Sequence, residues 1–231
     1  MPIQTILVPK GAEHRAVCRG LRKVLNPPTV ISVPVGPAPL TRYLESLQKI
    51  GCFYQGQTIL VMGVCGGLVP DLAVRDVVLY QECISSNPRT NAMNGVALPC
   101  DRLLTKQLQD KLTGRAFLVT AVTSDRVVST VAEKQELAQR SRAEVVDMEG
   151  FASLDVLTKT GASIAMLRVI SDDCHHDIPD LSAAFNADGS LNSLALTTAM
   201  FRQPIAATRL IRGSLQGLKL MQQLTFTLFQ S

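Results

Sequence analysis

The sequence predicts an α/β fold in which a largely central sheet is covered by helices. Compact apolar runs alternate along the chain with segments whose apolar residues recur at helical spacing. The runs are unbroken instead of alternating in polarity, as strands buried on both faces are. Glycines and acidic residues gather just after several runs, where ligand sites of open α/β sheets fall.

Residues 5–8 (T-I-L-V) form the first run and end at Pro9 and Gly11, so the leading apolar residues 1–9 read as a strand and not as a signal peptide. Residues 12–25 carry Ala16, Val17, Leu21, Val24 and Leu25 at helical spacing and stop at Asn26-Pro27-Pro28. Residues 29–35 are a second strand. Residues 37–50 are a helix with proline near its start and Gly51 beyond its end. Residues 58–62 (T-I-L-V-M) lead into Gly63-Val64-Cys65-Gly66-Gly67, read here as a turn. Residues 76–83 and 116–122 are further strands, with helices over 103–112 and 131–142. The short run 143–146 leads into Asp147-Met148-Glu149-Gly150 and a helix to about residue 159. Residues 163–170 form the last strand, ending in Ser171-Asp172-Asp173. A loop over 180–190 precedes a helical tail, about 191–231, split near Pro204. No composition shift marks a boundary, so the 231 residues read as one domain.

Hydrophobic residues at 46% and charged residues at 18% give a globular composition. No uncharged stretch reaches the roughly 18–20 apolar residues of a membrane span. The six cysteines are scattered, without a C-x-x-C pair, and read as reduced thiols of a cytoplasmic protein. The net charge of +4 comes without a lysine-rich block or an aromatic stripe, which argues against nucleic acid as a partner.

Four places could carry chemistry. Gly63–Gly67 would let a ligand approach backbone N–H groups closely, or would be only a tight turn; it is neither G-x-G-x-x-G nor a Walker loop, so no dinucleotide or ATP is indicated. Glu149, between a strand and a helix, could accept two adjacent hydroxyls such as a ribose diol offers, or could satisfy helix-start donors, as Asp147 could. Met148 could line the sugar or fill the core. Asp172 could give a proton to a departing base, with neighbouring Asp173 and partial burial raising one pKa; its alternative role is a helix cap. Glu13, in the first turn of a helix, could orient water or serve only the helix start. Cys174-His175-His176-Asp177 offers metal-ligand types, but adjacent histidines point apart and a structural zinc wants about four ligands, so no metal is expected. The last helix, over 205–224, sets Arg209, Arg212 and Lys219 among leucines and can either pack on the sheet or lie on a membrane surface.

Gly63–Val78 (G-V-C-G-G-L-V-P-D-L-A-V-R-D-V-V), V-D-M-E-G and R-V-I-S-D, in this order, resemble the purine nucleoside phosphorylase/uridine phosphorylase superfamily, including its methylthioadenosine/S-adenosylhomocysteine nucleosidases. The resemblance runs from the first strand to about Asp173. It implies a three-layer α/β/α sandwich around a mixed, partly barrel-like sheet. It implies that Met148 and Glu149 contact the ribose, that Asp172 meets the purine at N7, and that Glu13 orients the attacking water. The segment 124–128 (S-D-R-V-V), including Val128, resembles the one touching the base, with Val127 where an aromatic often stacks. Val64, Gly66 and Ser171 belong to the same implied substrate site. The family also implies a homo-oligomer, a partner chain often completing the pocket, and no cofactor beyond phosphate as co-substrate in phosphorylases.

The sequence departs from the phosphorylases in having Val61 and Val64 where they place an Arg and a Ser or Thr. Water is therefore the expected nucleophile. Lys10, Arg15 and Arg89 are the cations from which a phosphate site could be rebuilt. The tail, with Asp188-Gly189 and Arg202-Gln203-Pro204, loosely resembles the hopanoid-associated members of the superfamily, which act on a lipid-linked adenosine. The expectation is cleavage of a purine nucleoside, adenosine-like and 5′-substituted, by hydrolysis. A phosphorylase and a non-catalytic nucleoside-binding protein are the alternatives.

Overall fold

Strand β1 (Thr5–Pro9) is buried at all five positions, as an unbroken apolar run covered on both faces should be. The computed structural model describes residues 3–86, 96–184, 186, 188, 190 and 192–230. Met1, Arg89 and Gly189 lie outside these. After β1 come α1 (Ala12–Leu21), β2 (Thr29–Val33), α2 (Pro37–Lys49), β3 (Thr58–Gly67), β4 (Val77–Ser85), β5 (Ala97–Pro99), α3 (Arg102–Lys111), β6 (Ala116–Thr123), α4 (Val131–Ser141), β7 (Val145–Asp147), α5 (Gly150–Leu157), β8 (Ser163–Asp172), α6 (Ser193–Arg202) and α7 (Pro204–Phe229).

The described strands form one mixed sheet in the order β2-β1-β3-β7-β6-β4-β5, with β8 pairing both β3 and β4. That double pairing closes β3, β7, β6, β4 and β8 into a ring. The sheet is therefore partly a barrel, as the resemblance implies. Alternation along each strand divides the core. Val61, Tyr80, Ala121, Val145 and Met166 share one cluster with Leu40 and Leu44 of α2 and Leu154 of α5. The intervening Met62, Leu79 and Leu167 meet α1, α3 and α7. Helices thus cover both faces, and α4 packs on a smaller cluster around Val122 and Val146.

Several expected boundaries shift for physical reasons. Gly63-Val64-Cys65-Gly66-Gly67 is not a turn: β3 runs through it, paired to β8 as far as Gly66 and to β7 at Gly66 and Gly67. Helix α1 ends at Leu21, because Leu25 has nothing to pack on and is 89% exposed. Strand β2 stops at Val33, before Pro34, which has no N–H to give a ladder. Strand β5 is too short for periodicity to reveal. No helix starts in residues 173–184, directly after Asp172, so its expected alternative role as a cap falls away.

Helix α7 crosses the ends of β3 and β8 at close range. A Cβ on Gly213 would lie 2.1 Å from the Ser171 carbonyl oxygen, so only glycine permits this crossing. No described helix is long and apolar enough to cross a membrane.

Candidate active site

Strand β8 carries Arg168 in the middle of an apolar run, on the same side as Met166 and Ile170, and the guanidinium is fully buried within the sheet. Its Nη2 lies 2.9 Å from Asp147 Oδ2 and 3.6 Å from Glu149 Oε2. Burial works against this charge, but Asp147, Tyr80, Glu149 and Glu13 outweigh it and raise the Arg168 pKa further. Arg168 Nε and Nη1 have no hydrogen-bond partner among the described residues. A Cβ on Gly63 would stand 1.9 Å from Nη1, so that glycine exists to admit the guanidinium. Losing one member of such a buried pair typically costs about 3–5 kcal/mol.

Strand β7 is short because the chain must turn into α5 at once, and three residues divide the work there. Asp147 is the helix-start acid: its Oδ1 accepts from the Gly150 N–H at 3.1 Å and from Thr123 Oγ at 2.7 Å. Glu149, although at the N-cap position, makes no side-chain capping bond. Its Oε1 instead accepts from the Gly36 N–H at 3.2 Å. The alternative reading of Glu149 as a helix-start acid therefore belongs to Asp147. Burial pushes the Glu149 pKa up to about 8, against the attraction of Arg168 and with the repulsion of Asp147 and Glu13.

Glu13 sits in the first turn of α1 but does not cap it; its Oε1 accepts the Val64 N–H of β3 at 2.8 Å. Burial raises its pKa, while the Val64 N–H and Arg168 oppose the rise. This bond corrects one expectation: the Val64 N–H is committed to Glu13 and is not presented to an anion.

At the other end of the site the β3–β8 register slips between Cys65 and Gly66, which pair with Ile170 and Asp172. Ser171 is the extra residue of this bulge, and bulges re-aim side chains. Its Oγ lies 3.2 Å from the Cys65 carbonyl and 2.8 Å from Asp172 Oδ1. Gly66 leaves room for the carboxyl, since a Cβ there would be 3.0 Å from Asp172 Oδ2. The expected pairing of two acids does not occur. Asp173 turns to the His175 N–H and to His176 Nδ1, at 3.0 and 2.9 Å, and these bonds outweigh its desolvation and lower its pKa. Asp172 is paired with Lys134 of α4, whose fully buried Nζ donates to Asp172 Oδ2 and to the Asp173 carbonyl, both at 2.5 Å.

Glu13, Val64, Gly66, Val128, Met148, Glu149, Ser171 and Asp172 all line one cavity of about 630 Å³. Of the 124–128 segment, Arg126, Val127 and Val128 reach the wall and Ser124 and Asp125 do not. Val127, Lys10 and Arg15 line it too, whereas Val61 is buried in the core. None of the described lining residues is aromatic, so flat surfaces in the site meet aliphatic groups such as Val127, Ile178 and Leu210. Leu210 and Ser214 come from α7, so the tail forms part of the wall.

Lys134 and Arg168 are the functional-site residues that sequence reasoning missed. Both carried a signal: an arginine inside an apolar strand, and a lysine on the apolar stripe of α4 with Leu137 and Ala138.

The model of the phosphorylase superfamily matches residues 9–202. No curated protein sequence matches the chain. Among solved structures, a mutant Helicobacter pylori methylthioadenosine nucleosidase with 5′-methylthioadenosine in its active site superposes with a TM-score of 0.65 at 17% identity, over 97% of this chain and 98% of that one. Native futalosine hydrolase of the same organism gives 0.64 at 16% identity, over 92% and 97%. The Campylobacter jejuni 5′-methylthioadenosine/S-adenosylhomocysteine nucleosidase gives 0.62 at 14% identity, over 92% and 98%. At these identities the likeness is one of fold, and it agrees with the barrel-like sheet. The family match spans most of the sequence, and on that ground the chain belongs to the phosphorylase superfamily.

Proposed function

We propose that the protein is an enzyme that hydrolyses the N-glycosidic bond of a 5′-substituted, adenosine-like purine nucleoside and releases the free base. The observation that carries this reading is the meeting of Glu13, Glu149 and Asp172, from three distant parts of the chain, around one nucleoside-sized cavity. Glu149 accepts the 2′- and 3′-hydroxyls of the ribose, with Met148 beside the sugar. Glu13 takes a proton from the attacking water, and its raised pKa makes it a stronger base. Asp172 protonates the purine at N7, so the base leaves neutral. Lys134 then stabilises the carboxylate left behind. The hydrogen bonds from the ribose hydroxyls to Glu149 strengthen as positive charge develops on the sugar.

Water is favoured over phosphate by two features. Val61 is in the core and Val64 offers neither a hydroxyl nor a free N–H, so neither position supplies a phosphate ligand. Phosphate as co-substrate is the second reading, because Lys10 and Arg15 line the same cavity.

The test is to incubate the protein with adenosine, inosine, methylthioadenosine and a lipid-linked adenosine, with and without phosphate, and to follow free base. Base and free sugar in phosphate-free buffer are expected. Strict dependence on phosphate would establish the phosphorolytic reading. Tight binding without any release would make the protein a nucleoside-binding protein.

A further inference from the structure

The chain's net charge of +4 is unevenly placed. Residues 193–231 contain Arg202, Arg209, Arg212 and Lys219 and no Asp or Glu, so the rest of the chain is balanced and this segment holds the whole excess. It forms α6 and α7, and α7 is sharply two-faced. One face, through Ala207, Gly213, Gly217, Met221 and Leu224, is buried against the domain. The other interleaves Arg209, Arg212 and Lys219 with the exposed apolar residues Ile205, Ile211 and Leu215. At the α6–α7 corner Phe201 is 81% exposed and Ile205 76%, with Arg202 between them in sequence and also exposed. The packed face already accounts for folding of the tail. The outward face keeps large apolar side chains in water beside cations and carries no acid of its own; Asp177, which shares a surface pocket with Ile205 and Arg209, accepts the Val131 N–H.

We infer that this outward face of α6 and α7 is a docking surface for an anionic lipid bilayer. The charge decides the occupant. A second copy meeting this face by two-fold symmetry would set like charge against like. An anionic bilayer supplies the opposite charge at its surface and a hydrocarbon boundary for Phe201 and Ile205 just beneath. The cations contribute attraction that salt screens, and the apolar residues contribute a component that salt does not. Leu210 and Ser214, on the inner side of the same helix, line the cavity, so docking would place the bilayer about one helix diameter, roughly 10–12 Å, from the cavity wall. This inference does not depend on the reaction assigned to the cavity.

The experiment is co-sedimentation of the full chain with vesicles of phosphatidylcholine alone and of phosphatidylcholine mixed with phosphatidylglycerol, at low and high salt. The protein should pellet with the anionic vesicles and not with the neutral ones, and high salt should release most of it. Partitioning should fall roughly fivefold for each cation removed, so the Arg202→Glu/Arg212→Glu variant should be almost wholly soluble. Phe201→Ser/Ile205→Ser should bind weakly even at low salt. Both variants alter exposed residues and should keep the wild-type melting temperature. Wild-type protein that stays in the supernatant with anionic vesicles at low salt overturns the inference. So does a lipid-free dimer that Phe201→Ser/Ile205→Ser converts to monomer, which would assign the face to a second copy.

Discussion

At one end of the cavity three carboxyls, from Glu13, Asp147 and Glu149, gather around the single guanidinium of Arg168; at the other, Asp172 is matched to the ammonium of Lys134. Positive charge is short at the first end. Burial there pushes the Glu149 and Glu13 pKa values up, and Arg168 offsets the rise only in part. The second end has one cation for one acid, plus the Ser171 hydroxyl. The ratio of buried cations to buried acids therefore separates a sugar end, where Glu149 and Glu13 hold protons more readily than free carboxyls do, from a base end in which one acid faces one cation.

The largest expected effect tests the crowded end. Glu13→Gln keeps the shape of the group that meets the Val64 N–H but removes the base, so kcat should fall by about 10²–10⁴ with little change in KM. A fall confined to KM would make Glu13 a structural acid. Next comes the cation. Arg168→Met should destabilise the fold by about 3–5 kcal/mol in chemical denaturation, since it leaves Asp147 and Glu149 buried without their partner. A loss below about 1 kcal/mol would mean that the acids simply take up protons, and that the shortage of charge is relieved at little cost.

Much of this was legible in the sequence, and particular residues show where legibility ended. The unbroken runs revealed seven of the eight described strands, because burial on both faces leaves a signal that needs no tertiary information. The missing one, β5, is three residues long. Glu13, Glu149 and Asp172 stood out as acids at strand and helix ends, yet their partners did not. Lys134 lies 38 residues from Asp172, and Arg168 meets Asp147 across 21. Pairings at such separations are set by the closed sheet and not by local pattern. Gly63 and Gly66 were legible as glycines with a purpose, but the purpose differs. They make room for the Arg168 guanidinium and the Asp172 carboxyl within a strand, and neither has a positive φ.

Gly63→Ala turns that correction into a smaller test. The methyl would press on a fully buried guanidinium, and overpacking of this kind costs roughly 1–3 kcal/mol, read as a lowered melting temperature. A neutral substitution would show that the Arg168 end is loose. The remaining test is in pH dependence. The Glu149 pKa is raised from 4.5 to about 8 on folding, so between these values the native protein holds a proton that the unfolded chain has released. Stability should thus fall as pH rises through this window, by at most about 1.4 kcal/mol per pH unit for this one group. Glu149→Gln should flatten that slope. A slope unchanged in the variant would place the proton on another group.

Asp172 as the acid at the base is the centre of the proposed mechanism, and turnover measured beside binding tests it directly. Asp172→Asn should bind purine nucleoside within a fewfold of wild type by calorimetry, while release of free base slows by about 10²–10⁴. Turnover near the wild-type rate in that variant would contradict the mechanism at its centre.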